Sequence, residues 1–222
     1  MMVVYKRGMF NVSFIISDIV FYLTKKLSDD KFYFITDPSE IAEHLGQWRA
    51  VVVANFRDDK TLKYKFFDDA LCDNDDVDVL VGFGDTDMGV KPDSFAIYNA
   101  EGRFFVFDSK WETENIKKWV YVHSFPLVLN YDSHYNRFIF SKNHDIKSLI
   151  VYMSEDNEPL QNRELHDILE ELGEQMMGQS FVLDMQADVG GMIDYFGFER
   201  ETLPLFFYVC FSCLTDDIGG IG

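Results

Sequence analysis

QSFVLDMQADVGGMIDYFGFERETLPLFFYVCF, residues 179–211, holds the order of elements that decides the architecture. QSFVLDMQ (179–186) is an apolar run of strand length, GGMIDYFGF (190–198) a short helix, and LFFYVCF (205–211) another strand, entered directly after Pro204. Just upstream, SLIVYMS (148–154) reads as a buried strand. NRELHDILEELGEQM (162–176) is strongly amphipathic, with Leu165, Ile168, Leu169, Leu172 and Met176 as its apolar stripe. LVLNY (127–131) opens this set as a strand, and Asp132 and Ser133 open a helix after it.

The same order is written once before. FYFIT (32–36) is a short strand and DPSEIAEHLGQW (37–48) a helix, with Asp37 as N-cap and Pro38 in its first turn. RAVVVANF (49–56) is a buried strand. DDKTLKYKFFDDAL (58–71) has helical spacing at Leu62, Phe66 and Ala70. VDVLVGF (77–83) and SFAIY (94–98) are strands, and RFFVFD (103–108) pairs with the latter across Asn99-Ala-Glu-Gly102. The closing helix ETENIKKWVYVHS places Ile116, Trp119, Val120 and His123 on one face. Two copies about 95 residues apart are too long in period for a solenoid and read as sister α/β domains.

Composition narrows the function. The chain has 222 residues, of which 22 are Phe and 11 Tyr, ample material for packed cores. A net charge of −18 disfavours nucleic acid, because phosphate binding needs clustered Lys and Arg. The longest apolar stretch, MFNVSFIISDIVFYL (9–23), is interrupted by Asp18, so no membrane span is expected, and no signal peptide is read at the start. Acidic patches such as Asp58-Asp59, Asp68-Asp69 and Asp73-Asn-Asp75-Asp76 read as solvated loops and helix ends. Weak calcium binding is their sharper reading, although no EF-hand loop is present. Cys72, Cys210 and Cys213 make a poor disulfide framework, and the five His lie at no metal-ligand spacing; no metal or cofactor is expected.

Several stretches resemble the protein disulfide isomerase family. AVVVANFRDDKTLKYKFFDDAL with DDVDVLVGF is similar to part of its non-catalytic b domain. GVKPDSFAIYNAEGRFFVFD and ENIKKWVYVHSFPLV resemble the end of that domain and the step into b′. SLIVYMS, QSFVLDMQAD, MIDYFGF and ETLPLFFYV follow the order of b′, and MMVVYKRGMFNVSF resembles the final hairpin of a catalytic a domain. The resemblance implies tandem thioredoxin-like domains, each a mixed sheet flanked by helices: residues 1–28 as the tail of an a domain, 29–124 as b-type, and 125–222 as a b′-type domain, C-terminally incomplete. It also implies a cis bond at Pro204 and a helix between Gly84 and Pro92 that is shortened or lost.

Function follows on the same footing. Thiol chemistry in this fold needs a Cys at the helix N-terminus after the first strand, where backbone N–H groups and the helix dipole lower its pKa. Those junctions read Thr36-Asp37-Pro38-Ser39 and Tyr131-Asp132-Ser133-His134, so both domains are expected to be redox-silent. The resemblance implies instead a pocket for unfolded or partly folded polypeptide, lined by Tyr131, Phe138, Phe140, Met192, Tyr195 and Phe196. Aromatics and a methionine suit a binder of many sequences, and core packing is the plainer reading of each. Implied partners are such polypeptides and the catalytic domains of a longer protein, in the endoplasmic reticulum lumen. Two alternatives stand beside it. One is a thiol-disulfide oxidoreductase using Cys210 and Cys213; the other is an acidic calcium-buffering thioredoxin-fold protein. Against the first, i and i+3 on one strand lie about 10 Å apart, beyond the ~7 Å a disulfide tolerates.

Overall fold

Val51, Val52 and Val53 form an unbroken apolar run, the pattern of a strand covered on both faces. In the computed structural model, which describes residues 33–71, 79–84, 88–131, 139, 146, 148–155, 163–187 and 192–210, that run is the middle of β2 (Ala50–Asn55). β1 (Tyr33–Phe34), β3 (Val79–Phe83), β4 (Ser94–Asn99) and β5 (Phe104–Val106) complete a sheet in the order β1-β3-β2-β4-β5. β1 and β2 run parallel to β3, with Val52 opposite Val81, and β5 runs antiparallel to β4, with Ile97 opposite Phe105. The parallel pairs need crossovers, which α1 (Pro38–Leu45) and α2 (Leu62–Leu71) provide, and α3 (Thr113–His123) follows β5.

Each helix has a local cause. Asp37 Oδ1 accepts from the Ser39 N–H (2.8 Å), and Glu40 Oε1 accepts from the Asp37 N–H (3.0 Å), so a capping box with Pro38 behind it starts α1. Thr61 Oγ1 accepts from the Tyr64 N–H (3.1 Å) and starts α2 at Leu62, four residues later than the periodicity alone suggests. The buried face of α2 is Phe67, Ala70 and Leu71, whereas Leu62 is exposed and Phe66 half-buried. The expected Leu62–Phe66–Ala70 stripe is thus rotated by one residue, because Phe67 finds the ring partners: Phe56 at 5.1 Å and Phe95 at 5.1 Å. The opposite face of the sheet packs Val51, Val53, Leu80 and Ala96 with Ile41 of α1. Met88 and Val90, in the short connection before β4, are buried in that same cluster.

The chain divides into two compact units, the second comprising Asn99–Arg103 together with the residues from Lys118 onward. Its sheet, among the described residues, has the order β6-β8-β7-β9, from β6 (Val128–Asn130), β7 (Ser148–Ser154), β8 (Phe181–Gln186) and β9 (Leu205–Cys210). β6 and β7 are parallel to β8, and β9 is antiparallel to β7. One face carries Leu129, Ile139, Leu149, Val151, Leu183 and Ile193; the other carries Val128, Tyr152 and Val182 beneath Leu169 of α4 (Arg163–Met176). Leu165 and Leu172 pack there too, but Ile168 of the expected stripe is exposed, since it lies one residue off the line through Leu165, Leu169 and Leu172. Gly173 closes that line. A Cβ there would meet the Leu127 carbonyl oxygen at 2.5 Å, so glycine allows helix and strand backbones to touch.

Asn99 is buried and hydrogen-bonded at both ends of its amide. Its Oδ1 accepts from the N–H groups of Glu101 (3.1 Å) and Arg103 (3.0 Å), and its Nδ2 donates to the Phe125 carbonyl (3.0 Å). Arg103 then reaches Glu170 (2.7 Å) and Glu174 (3.0 Å) on α4. The expected helix opening at Asp132-Ser133, the segment 1–28, Cys72 and Cys213 lie outside the described residues.

Candidate functional site

The helix N-terminus that follows the first strand is where the sequence reading expects a reactive thiol. In the first unit the capping box fills it. The Ser39 hydroxyl and then its amide hold the Asp37 carboxyl below the usual range, so the positive end of α1 already faces a carboxylate. No cysteine stands at Thr36-Asp37-Pro38-Ser39. Cys210 lies elsewhere, as the last residue of β9 opposite Ser148.

The aromatic side of the second unit is built around α5 (Met192–Phe196). Gly197, at φ +74°, ends this helix, and the Phe198 N–H donates back to the Ile193 carbonyl (3.0 Å). A 3-10 turn at Arg200–Thr202 leads to the Leu203–Pro204 bond, which is cis, as expected for that proline, and then to β9. Within this loop three rings meet. Phe196 lies 4.8 Å from Phe207 in an edge-on contact, Phe198 lies 5.0 Å from Phe207, and Phe196 and Phe198 are 6.3 Å apart. All three are half-buried against the core, as is Tyr131, whose N–H donates to the Asp184 carbonyl (2.9 Å) at the end of β6.

Of the six residues expected to line a pocket, Tyr131 and Phe196 are therefore partly exposed members of one core margin. Met192 and Tyr195 lie on α5, and their side chains fall outside the described residues, as do Phe138 and Phe140 altogether. Phe198 and Phe207 were not among the expected residues. The alternation in LFFYVC puts Phe207 on the face of Leu205 and Val209, and that pattern was available to find it. The cluster offers ring faces and edges to an apolar side chain. Among the described residues, no group of three or more His, Cys, Asp and Glu could hold a metal ion.

One titratable group lies behind the opposite face of this sheet. Asp184, in β8, is flanked in register by Asn130 and Tyr152. Burial pushes its carboxyl up from 3.8 to about 6, against a smaller downward pull from His166 on α4. The folded protein then holds a proton that the unfolded chain has released between these values. The contribution of Asp184 to stability is full below 3.8 and is lost as pH rises through about 6. Asp184→Asn is expected to stabilise the second unit at pH 8 by on the order of 2 kcal/mol, and hardly at pH 4. Urea unfolding at the two pH values measures this, and an equal effect at both would refute the assignment.

The comparisons with known proteins agree with this geometry. A family profile described as a thioredoxin-like domain matches residues 56–212. Among solved structures the chain is similar to the zinc-bound form of human ERp44, with 16% identity and a TM-score of 0.50, covering 89% of this chain and 54% of that one. It is also similar to the bb fragment of ERp72, with 14% identity and a TM-score of 0.56, covering 85% and 95%. The chain thus spans about half the length of the ERp44 chain, and identities this low speak for the fold. No curated protein matches the sequence.

Proposed function

Since the chain belongs to the thioredoxin-like domain family, we propose that it is a redox-silent, polypeptide-binding module of a protein disulfide isomerase-like protein in the endoplasmic reticulum lumen. The observation that carries this reading is the half-buried cluster of Phe196, Phe198 and Phe207, at the margin of the core that Tyr131 also borders. Core rings that keep one side exposed offer large, nearly rigid contact areas, which an extended apolar segment can use at little ordering cost. The module captures exposed apolar segments of unfolded or partly folded chains reversibly and presents them to catalytic domains. The bond chemistry belongs to those domains, because Asp37-Pro38-Ser39 supplies no thiol at the position where α1 would activate one. Met192, Tyr195, Phe138 and Phe140 extend the same wall in this reading.

Binding of a fluorescently labelled unfolded protein, followed by anisotropy, tests it. Tyr195→Ala combined with Phe196→Ala is expected to weaken binding by about tenfold or more, the scale of losing two aromatic anchors. Undiminished binding by a variant with unchanged circular dichroism would sink the assigned pocket.

A further inference from the structure

α4 carries a stripe of titratable side chains. His166, Glu170 and Glu174 recur at helical spacing and so share one flank of the helix. The lower part of this stripe already holds a guanidinium. Arg103 reaches Glu174 (3.0 Å) and Glu170 (2.7 Å), and its Nε lies 3.4 Å from Glu101. Glu170 in turn meets the His166 ring at 3.5 Å. The upper end of the stripe meets Asp184, which lies within electrostatic reach of His166.

Asp184 is only 7% exposed, and among the described residues no N–H or O–H group donates to its carboxylate. Alternation along β8 puts it on the face of Val182, under α4, with its register neighbours Asn130 and Tyr152 on the same face. Tyr152 is buried and closes one side, whereas Asn130, the last residue of β6, is exposed and leaves the other open. A carboxylate so deeply buried without a donor is costly to ionise unless a cation comes to it. Its place is the carboxyl end of parallel strands, where open α/β sheets take their ligands.

We propose that Asp184, Asn130 and His166 form a subsite for the guanidinium of an arginine in a bound polypeptide. Asp184 accepts two of its N–H groups and the Asn130 amide oxygen another, much as Glu170 and Glu174 serve Arg103, while His166 lines the opening. This deepens the polypeptide-binding reading, and only the source of the arginine rests on that reading. Tyr131 follows Asn130 on the opposite face, and its N–H donates to the Asp184 carbonyl (2.9 Å). An extended segment crossing the end of β6 can set an apolar side chain against Tyr131 and the next, an arginine, against Asp184. Proton and guanidinium then compete for a carboxyl that burial pushes up to about 6. Its titratable neighbours are His166 from α4 and Tyr152 from β7. Asn130 from β6 is neutral, and Arg163 and Glu164 stand exposed on the first turn of α4.

The test follows the Asp184 carboxyl by NMR in the 222-residue chain labelled at its aspartate carboxyls, with the signal assigned by its loss in Asp184→Asn. N-acetylarginine amide is expected to lower its titration midpoint by about one pH unit or more, a tenfold preference for the ionised form. The neutral N-acetylcitrulline amide should leave the midpoint in place. A midpoint that arginine does not move, or that citrulline moves as far, overturns the subsite. Two labelled apolar peptides, one with a single arginine and one with citrulline in its place, are then compared by anisotropy. The arginine peptide is expected to bind about tenfold tighter, and Asp184→Asn to erase that preference. Equal binding of the two overturns the subsite and leaves the polypeptide reading standing. Failure of both to bind sinks the polypeptide reading, while the carboxyl titration still decides the subsite.

Discussion

Phe95→Ala is expected to cost the first unit about 3–5 kcal/mol, the range for deleting a fully buried aromatic ring. The ring is fully buried, and it meets Phe107 stacked at 4.6 Å, Phe67 at 5.1 Å and Trp111 edge-on at 5.6 Å, with Phe107 and Trp111 themselves in contact at 5.0 Å. Two kinds of loss add. Folding of the variant removes less apolar area from water, and the cavity strips contacts from rings too large to collapse into it. The neighbours come from α2, from the segment after β5, and from the approach to α3, so no single one can shift without moving its element. Hydrogen exchange of β2 and β3 amides measures the effect. A loss below about 1 kcal/mol would mean that the ring contacts contribute little beyond the small side chain left behind.

Gly173→Leu is expected to destabilise the second unit by about 3 kcal/mol or more. Two effects oppose each other, because glycine in a helix interior is itself unfavourable by about 1 kcal/mol relative to alanine. Against that gain stands a Cβ placed 2.5 Å from the Leu127 carbonyl oxygen and 3.0 Å from its carbonyl carbon. These are backbone atoms at the entry to β6, and they cannot rotate aside as a side chain can. Relief requires α4 to withdraw from the sheet, which also opens the contacts of Leu169 with Val128 and Val182. Gly173→Ala therefore still loses stability, by about 1 kcal/mol, as overpacking exceeds the propensity gain. A more stable Gly173→Ala in urea unfolding would show that the helix retreats freely and would contradict the close approach.

The fold was legible because its signals are local and redundant. The β2 run of valines, the Asp37-Pro38-Glu40 start of α1 and the turn at Asn99–Gly102 each name their element without reference to the rest. Side-chain partnerships were less legible. Phe66 and Phe67 are adjacent and chemically identical, and only the positions of Phe56 and Phe95, brought there by other strands, decide which faces inward. Ile168 fits a helical stripe by spacing, yet it is Leu165, Leu169 and Leu172 that meet the sheet, and Ile168 is left exposed. Gly173 reads as a weak point in a helix until Leu127 is known to lie against it. For the candidate site, Tyr131 and Phe196 were named through the resemblance and are half-buried at the core margin, while Phe198 needed the turn at Gly197 to bring it to Phe207. Nothing in the sequence singles out Asp184, a carboxylate inside an apolar strand run, and its burial depends on the elements packed over β8.

The tryptophans have an optical consequence. Trp48, Trp111 and Trp119 are the three in the chain, and all precede β6. Trp48 packs against the core of the first unit, and Trp111 sits edge-on to Phe107 with the Lys63 ammonium 4.8 Å above its ring. Selective indole excitation therefore reads the first unit and, through Trp119, only the α3 part of the second. The aromatic cluster at Phe196–Phe207 contains no indole and stays dark in such a measurement. A client peptide carrying a single tryptophan would supply the missing chromophore there, and energy transfer from the neighbouring tyrosines would report its arrival.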